Sequence, residues 1–198
     1  MSYYFSKQPD VAHDEQTWSF TLRGLNMRFM TDNGVFSKHT VDYGSRVLIA
    51  AITNEMFPAG PLLDMGCGYG PIGLSLAATL PRHVTMVDVN ERALALAKHN
   101  AELNHLHNVD IFASDIYQNV SGKFAGVITN PPIRAGKQVV DQILTQAYDH
   151  LLPNGRLLAV IQKKQGAPSA KKLMMTTFGN ATILKRDKGY YILSSQRN

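Results

Sequence analysis

Cysteine is nearly absent from this chain, because Cys67 is the single cysteine among 198 residues. One cysteine forms neither an internal disulfide nor a multi-cysteine zinc site, so we expect a fold that depends on neither disulfide nor metal. No segment approaches the roughly 20 apolar residues that cross a bilayer, and Met1 to Asp10 lacks the apolar run of a secretory signal. These absences predict a soluble cytoplasmic protein without a membrane partner.

Acidic residues are scarce in the last part of the chain. Residues 121–198 carry 12 Lys+Arg but 3 Asp+Glu, a net charge of +9, whereas residues 1–120 carry 8 against 12, a net of −4. A local positive excess attracts polyanions, and we expect ribosomal RNA or the small ribosomal subunit as the partner. The alternative is an ordinary solvated basic face.

Apolar periodicity predicts two parts that share one core, which suits a chain of this length with 44% hydrophobic residues. Thr17 to Arg23 alternates in polarity and, with Met27 and Phe29, predicts a β-hairpin, while Asp42 to Glu55 has helical spacing. We therefore expect residues 1–55 to form a cap integrated with a domain of residues 56–198.

From residue 61 onward, short apolar runs alternate with helical stretches, which favours a parallel sheet covered by helices on both faces. The expected strands are residues 61–65, 83–88, 109–113, 124–129 and 156–162, and the expected helices are residues 71–80, 91–104, 137–151 and 169–178. Residues 181–185 and 190–194 are joined by a link too short for a parallel crossover. They are predicted to form an antiparallel hairpin.

A glycine-rich loop, Asp64 to Gly70, follows the first of these strands and precedes a helix. Glycines allow the tight turn and let a ligand approach the backbone. Gly68, Gly70 and Gly73, with Asp88 downstream, also satisfy the dinucleotide pattern, so the loop alone leaves nicotinamide cofactors open.

Three features favour S-adenosylmethionine instead. Asp64 at the strand end would repel a pyrophosphate but attract the ammonium group of the methyl donor. Pro71 differs from the usual start of a dinucleotide-binding helix. The motif Asn130-Pro131-Pro132 has no use in hydride transfer.

Acidic residues end the next two strands. Asp88 is placed to accept both ribose hydroxyls of a nucleoside, and Asp115 lies where the adenine amino group is expected. Either residue taken alone could be a helix N-cap. Their positions on consecutive strand ends favour a nucleoside site.

Asn130-Pro131-Pro132-Ile133 follows another apolar strand. The proline pair restricts the backbone, so the Asn130 amide and the Pro131 carbonyl are held rigidly. Two fixed acceptors suit an sp² amino group, whose lone pair they aim at a methyl donor by positioning and electrostatics. The alternatives are a simple Asn-Pro turn and, less in keeping with its place in the loop, Cys67 as a methyl-accepting nucleophile.

With these motifs the chain resembles class I methyltransferases of the "small domain" type, related to bacterial small-subunit ribosomal RNA guanine-N2 methyltransferases. The resemblance covers residues 30–195 and rests on Gly34-Val35-Phe36-Ser37, Asp42-x-Gly44-Ser45, Leu63 to Gly70, Val87-Asp88-Val89-Asn90, Asn130 to Lys137 and Gly189-Tyr190. It implies a Rossmann-like α/β sandwich whose mostly parallel seven-stranded sheet has an antiparallel last strand. It also implies N-methylation of a guanine in small-subunit ribosomal RNA.

The motifs, the charge distribution and the resemblance together give a set of expected site residues. The expected catalytic residues are Asn130, Pro131, Pro132 and Ile133. The expected S-adenosylmethionine site comprises Asp64, Gly66, Cys67, Gly68, Gly70, Asp88, Val89, Asp115, Ile116 and Asn130. The expected substrate contacts are Phe36, Arg134, Lys137, Lys163 and Lys164.

One residue departs from the family pattern, because many relatives carry an aromatic residue where this chain has Ile133. Phe36 or Arg134 is expected to stack on the target base instead, unless Phe36 belongs to the core. Larger family members have a second methyltransferase-like domain, which we do not expect in this chain. Selection of the RNA site is therefore expected to rest on the cap and on the basic C-terminal part. The competing functions are methylation of adenine or of a protein glutamine, and RNA binding without catalysis.

Overall fold

The computed structural model describes residues 11–198, and the expectations for residues 1–10 lie outside the described residues. The elements in chain order are β1 (Gln16–Leu22), β2 (Leu25–Thr31), α1 (Tyr43–Ala51), β3 (Leu62–Met65), α2 (Pro71–Thr79), β4 (Val84–Asp88), α3 (Glu91–Leu103), β5 (Val109–Ala113), β6 (Phe124–Thr129), α4 (Lys137–His150), β7 (Leu151–Gln162), α5 (Ala167–Phe178), β8 (Thr182–Asp187) and β9 (Tyr190–Gln196). Short 3-10 turns lie at Asn54–Met56, Ile133–Ala135 and Lys163–Gln165.

Seven strands form the central sheet in the order β5-β4-β3-β6-β7-β9-β8. The strands from β5 to β7 in this order are mutually parallel, and β9 is antiparallel to both of its neighbours. The predicted sheet and its antiparallel last strand are therefore confirmed. The short link between β8 and β9 permits only a hairpin, which pairs Asp187 with Tyr190.

The central strands are buried on both faces. Every residue of β3 and β6 is buried, as are the first four of β4, which explains their continuous apolar runs. Since β3 to β7 run in the same direction, their carboxyl ends meet at one edge of the sheet. The residues that follow these strands are thereby brought together.

The predicted N-terminal hairpin is confirmed as a two-stranded sheet, β1 and β2. The side chain of Asn100 on α3 anchors this hairpin, since its Nδ2 donates to the Met30 carbonyl (3.0 Å) and its Oδ1 accepts from the Met30 N–H (2.6 Å). The same Nδ2 donates to the carbonyl of Tyr69 at 2.9 Å. The hairpin is thus linked to the glycine loop, while the proposed division after residue 55 stays a prediction.

Two element boundaries differ from the sequence prediction by more than three residues. Helix α1 ends at Ala51 rather than at residue 55, because Ile52 adopts an extended backbone and its N–H bonds to Ile49. Strand β7 begins at Leu151, not at residue 156, and includes Asn154 in the left-handed region. Within the described residues, no helix has the length and hydropathy needed to span a membrane.

Candidate functional site

A cavity of about 650 Å³ opens where β3, β4, β5, β6 and β7 end. Its volume falls within the roughly 300–1,000 Å³ typical of small-molecule sites. It brings together most of the predicted site residues, namely Phe36, Gly66, Cys67, Gly68, Asp88, Val89, Asp115, Ile116, Asn130, Pro131, Pro132, Ile133 and Arg134. The other predicted residues, which lie outside its wall, are Asp64, Gly70, Lys137, Lys163 and Lys164.

The glycine loop has three positive φ angles, 75° at Gly66, 57° at Gly68 and 98° at Gly70. A Cβ added at Gly66 or Gly68 would meet no protein atom within 4 Å, so the cavity approaches bare backbone there. A Cβ at Gly70 would lie 2.8 Å from Leu74. Gly66 and Gly68 therefore suit a ligand, whereas Gly70 is required by packing at the start of α2.

Asp88 supports the glycine loop as well as facing the cavity. Its Oδ2 accepts the N–H of Gly68 and its Oδ1 accepts the N–H of Asn90, both at 2.9 Å. Burial raises the pKa of Asp88, and hydrogen bonds from backbone N–H groups oppose that rise. Each oxygen retains acceptor capacity for a ligand hydroxyl.

Asp64 lies beneath the loop and not on the cavity wall, which corrects the expectation that it faces a ligand ammonium directly. It is fully buried, its Oδ2 accepts the N–H of Gly73 at 2.7 Å, and its Oδ1 has no partner among the described residues. Burial, with the charge of Asp88 nearby, raises the pKa of Asp64 to about 7. Asp64 therefore supports the site from behind, through its hydrogen bond to the backbone of α2.

The helix-cap alternatives for the two strand-end acids are wrong. Asn90, not Asp88, caps α3 through a hydrogen bond from Ala93. Asp115 is exposed on the cavity wall, and the following turn, which ends with the Asn119 N–H bonded to Ser114, does not continue into a helix. Both carboxylates therefore remain available to a nucleoside.

Asn130 lines the cavity and uses its amide nitrogen inside the protein. Its Nδ2 donates to Oδ2 of Asp42 at 3.0 Å and to Oγ of Ser45 at 2.9 Å. Pro131, Pro132 and the following 3-10 turn continue the cavity wall. The sequence contained the signal for the two partners, Asp42-x-Gly44-Ser45, but the pattern alone did not connect them with Asn130.

Gln162, Gln165 and Tyr190 are among the lining residues that sequence reasoning did not assign to the site. Gln162 ends β7, and its Oε1 is buried without a hydrogen-bond partner in the described part of the chain. Its position at a strand end beside the Asn130 strand is a signal that could have identified it. An unpaired amide oxygen here can accept a hydrogen bond from a ligand.

Some of the predicted substrate residues line this wall and others do not. Phe36 is 52% exposed on the cavity wall, so the alternative that it belongs to the core is wrong. Arg134 is also exposed there, whereas Lys137 pairs with Asp141 on α4.

Lys163 and Lys164 are exposed on the 3-10 turn between two cavity-lining residues, Gln162 and Gln165. The N–H of Lys163 donates to the carbonyl of Gly189 at 2.8 Å, which holds this turn against the β8–β9 link. Both lysines are therefore exposed next to cavity-lining residues and do not line the cavity themselves.

The chemistry of the wall favours a cationic organic ligand. Asp42, Asp88 and Asp115 line it, and Asp64 lies behind the glycine loop. Cys67 is buried, and burial raises the pKa of its thiol well above the ordinary value, so the nucleophilic thiolate is disfavoured.

A group of metal-ligating residue types lies elsewhere in the chain. Ligand atoms of His13, Glu15 and Asp32 come within 4.8 Å of one another. The Asp32 carboxylate already accepts hydrogen bonds from His13 and from the N–H groups of Asp14 and Asn33. This group is separate from the cavity.

Comparison with known sequences identifies relatives over nearly the whole chain. The profile of the methyltransferase small domain family matches residues 26–194. A Bacillus subtilis (strain 168) protein, "Uncharacterized protein YbxB", is 48% identical over 198 residues, 98% of each chain. Ribosomal RNA small subunit methyltransferase C of Photorhabdus laumondii is 30% identical over 92% of this chain and 54% of the relative. Its counterpart in Aeromonas hydrophila is 40% identical over 64% of this chain and 37% of the relative.

Solved structures share the fold. The T. thermophilus 16S rRNA N2 guanine methyltransferase RsmC, determined with AdoMet and guanosine, superimposes with a TM-score of 0.84 at 24% identity, covering 96% of this chain and 52% of that one. Ribosomal protein L11 methylase from Lactobacillus delbrueckii has a TM-score of 0.70 at 18% identity, covering 85% and 84%. This chain spans about half or less of the curated ribosomal RNA methyltransferases that it matches.

Proposed function

The chain belongs to the methyltransferase small domain family and is an S-adenosylmethionine-dependent methyltransferase, and on this premise we propose that it methylates the N2 amino group of a guanine in small-subunit ribosomal RNA. One observation carries the proposal. A single cavity is lined by the glycine loop and acidic strand ends on one side and by Asn130 to Ile133 on the other. A donor and an acceptor can therefore meet within it.

The donor half of the cavity suits S-adenosylmethionine. We propose that Asp88 accepts the ribose hydroxyls, that Asp115 accepts the adenine amino group and that bare backbone at Gly66 and Gly68 contacts the donor closely. Val89, Ile116 and Cys67 supply the neighbouring wall. When bound, the donor supplies a sulfonium-activated methyl group, whose positive charge suits the acidic lining.

The acceptor half is proposed to work by positioning. The Asn130 side-chain oxygen and the Pro131 carbonyl accept the two hydrogens of a planar amino group and turn its lone pair toward the methyl carbon. Fixed acceptors would also stabilise the positive charge that develops on this nitrogen as its bond to the methyl carbon forms and the sulfur–methyl bond of the donor breaks, with the electron pair of that bond remaining on sulfur. The nitrogen then releases one proton to water, so no strong protein base is required.

Two features support ribosomal RNA as the acceptor. The curated relatives that the chain matches are named ribosomal RNA small subunit methyltransferase C, and the T. thermophilus neighbour is named as a guanine-N2 methyltransferase of 16S rRNA. Lys163 and Lys164, exposed next to cavity-lining residues, offer contacts to phosphates. Phe36 and Arg134, both exposed on the wall, are the proposed stacking groups that replace an aromatic residue at Ile133.

The test is transfer of labelled methyl groups from S-adenosylmethionine under single-turnover conditions. The acceptors are 16S ribosomal RNA and small ribosomal subunits from cells that lack the gene, and the product is identified as a nucleoside by mass spectrometry. We expect N2-methylguanosine from the wild-type protein. Label found in N6-methyladenosine or in protein glutamine would overturn the guanine assignment, and donor binding without any transfer would favour a non-catalytic RNA-binding module.

Asn130 variants test the site within the same assay. Asn130→Ala should lower the single-turnover rate about a hundred- to thousand-fold while RNA affinity changes little, because phosphate contacts elsewhere supply most of the binding. Asn130→Asp should be no more active than Asn130→Ala, although its carboxylate could accept the amino hydrogen, because it replaces the amide that donates to Oδ2 of Asp42 at 3.0 Å by a second acidic group. Near-normal rates for Asn130→Ala would remove this motif from the catalytic centre.

A further inference from the structure

The amide of Asn130 has two orientations of almost equal shape, and only one of them places an acceptor oxygen in the cavity. Packing does not distinguish the oxygen from the nitrogen, so hydrogen-bond partners must decide the orientation. Oδ2 of Asp42 lies 3.0 Å from the terminal nitrogen of Asn130. An ionised carboxylate only accepts, so it selects the orientation in which the nitrogen faces Asp42. The oxygen is then left for the cavity side.

A second partner reinforces this choice. Oγ of Ser45 lies 2.9 Å from the same nitrogen, so both amide hydrogens have acceptors within the protein. A serine hydroxyl can donate as well as accept, and Ser45 alone would not select an orientation. Asp42 selects it, and Ser45 holds the second hydrogen.

The start of helix α1 positions both partners. The Oδ2 atom that accepts from Asn130 also accepts the N–H of Ser45 at 3.1 Å, as the N-cap of this helix. A Cβ at Gly44 would lie 3.0 Å from that oxygen and 2.7 Å from the ring of Tyr190. The spacing Asp42-x-Gly44-Ser45 thus lets the helix approach the cavity and aims two acceptors at one amide.

From this geometry we infer that Asp42 and Ser45 are positioning residues, which hold the Asn130 amide with its oxygen toward the acceptor amino group. The inference rests on the proposed function and adds the groups that make Asn130 competent. Without them the amide can rotate and present its own N–H donors to an amino group, which replaces attraction by repulsion. The carboxylate also polarises the amide and strengthens its oxygen as an acceptor.

Three variants separate orientation from helix capping. Ser45→Ala removes one anchor of Asn130 but leaves the cap intact, because the cap uses the backbone N–H of Ser45. Asp42→Asn retains an oxygen that can cap the helix but loses the charge. Asp42→Ala removes cap and anchor together, so its melting temperature must be measured beside its activity.

We expect single-turnover methyl transfer to fall about a hundred-fold for Asp42→Ala and about ten-fold for Ser45→Ala, with Asp42→Asn between wild type and Asp42→Ala. Affinities for S-adenosylmethionine and RNA should change less than about three-fold, because the anchored amide acts on the rate. The decisive measurement repeats Asp42→Ala in an Asn130→Ala background. There its additional effect should be less than about three-fold, because no amide remains to be oriented. Rate reductions that multiply would overturn the inference and assign Asp42 an independent role.

Nuclear magnetic resonance supplies a readout that does not depend on activity. The side-chain NH₂ pair of Asn130 is identified as the pair missing from the spectrum of Asn130→Ala. Both protons should shift and exchange faster with water in Asp42→Ala, and Ser45→Ala should affect one more than the other. An NH₂ pair unchanged in Asp42→Ala would overturn the inference. If the NH₂ pair shifts in Asp42→Ala but the wild-type protein methylates no RNA, the proposed function is overturned and the orientation of the Asn130 amide is not.

Discussion

Asp88 is the last residue of β4 and Asp115 lies two residues beyond the end of β5, and the two carboxylates differ in what they hold. Asp88 bonds to the N–H groups of Gly68 and Asn90, whereas Asp115 is exposed. Asp88→Ala should weaken S-adenosylmethionine binding by roughly 1.5–3 kcal/mol, about ten- to hundred-fold, and should also lower the free energy of unfolding by about 1–2 kcal/mol. The loss of stability is expected because the N–H groups of Gly68 and Asn90 lose their acceptor.

Asp115→Ala is the matched comparison for that prediction. It should reduce cofactor affinity while leaving the free energy of unfolding within about 0.5 kcal/mol of wild type, as for other exposed sites. Calorimetric titration with S-adenosylmethionine and urea unfolding of the free proteins measure the two effects. Unchanged affinity in Asp88→Ala would exclude that residue from the site, and equal stability losses in both variants would contradict its role in the loop.

Asp64 makes stability depend on pH in a direction opposite to that of most carboxylates. Its pKa is about 7 in the folded protein against 3.8 in its ordinary state, so between these values the folded protein retains a proton that the unfolded chain has released. The stability contributed by this proton is present at low pH and lost as pH rises from about 4 to about 7. The full loss is at most about 4 kcal/mol.

The test compares wild type with Asp64→Asn by urea unfolding at several pH values between 4.5 and 7.5. The stability of wild type relative to this variant should fall as pH rises, because asparagine does not titrate. Asp149→Asn, at an exposed position near the end of α4, serves as the control. A difference that is independent of pH would contradict a protonated Asp64.

At the scale of elements, the glycine loop combines a backbone requirement with space for a ligand. Gly68 and Gly24 both have positive φ angles, 57° and 81°, and an added Cβ meets no atom within 4 Å at either. Alanine at either position should therefore cost roughly 1–2 kcal/mol of unfolding free energy through backbone strain alone. Only the Cβ at residue 68 would project into the cavity.

Gly68→Ala should consequently weaken S-adenosylmethionine binding at least about ten-fold, while Gly24→Ala in the β1–β2 turn should leave it unchanged. Thermal unfolding and calorimetric titration of both variants make the comparison. Equal cofactor affinity in the two variants would show that the ligand does not approach this part of the loop. The shared strain makes the pair a matched control.

At the scale of the whole molecule, positive charge is concentrated in the C-terminal part of the chain, and some of it lies on the turn between the cavity-lining residues Gln162 and Gln165. Lys163 and Lys164 are exposed there, and Lys188 lies on the adjoining β8–β9 link. Replacing Lys163 and Lys164 by Glu should weaken RNA binding and lower the slope of log affinity against log salt by about one for each phosphate that the variant no longer neutralises. Cofactor affinity should change little.

The control for this prediction makes the same change of charge elsewhere. Lys98 is exposed on α3 and Lys123 precedes β6, at the end of that strand opposite Asn130. Glutamate at both control positions should leave the salt slope closer to that of wild type. If the Lys163 and Lys164 variant has the wild-type slope, this pair faces away from the RNA.

Local patterns predicted most of the fold correctly because the relevant signals are short. Buried parallel strands require continuous apolar runs, whereas the helices between them require apolar residues at helical spacing. The two patterns are easily distinguished, and all the strands from β3 to β9 were predicted. The errors occur where backbone geometry depends on distant contacts. The early start of β7 is one case, since Leu151 pairs with Phe124 and Asn154 bonds to Arg197.

The sequence by itself determined the glycine loop, the acidic strand ends and the Asn-Pro-Pro motif, because each is defined by neighbours along the chain. Only the tertiary structure decided which groups share a wall with them. Asp42 and Asn130 are 88 residues apart in the chain but are hydrogen-bonded in the fold. Asp64 is buried, although the next two residues, Met65 and Gly66, line the cavity. The contact between Asp42 and Asn130 depends on how helix α1 packs against the sheet. The periodicity of apolar residues specifies which face of a strand or helix is buried, but it does not specify which distant side chain that face meets.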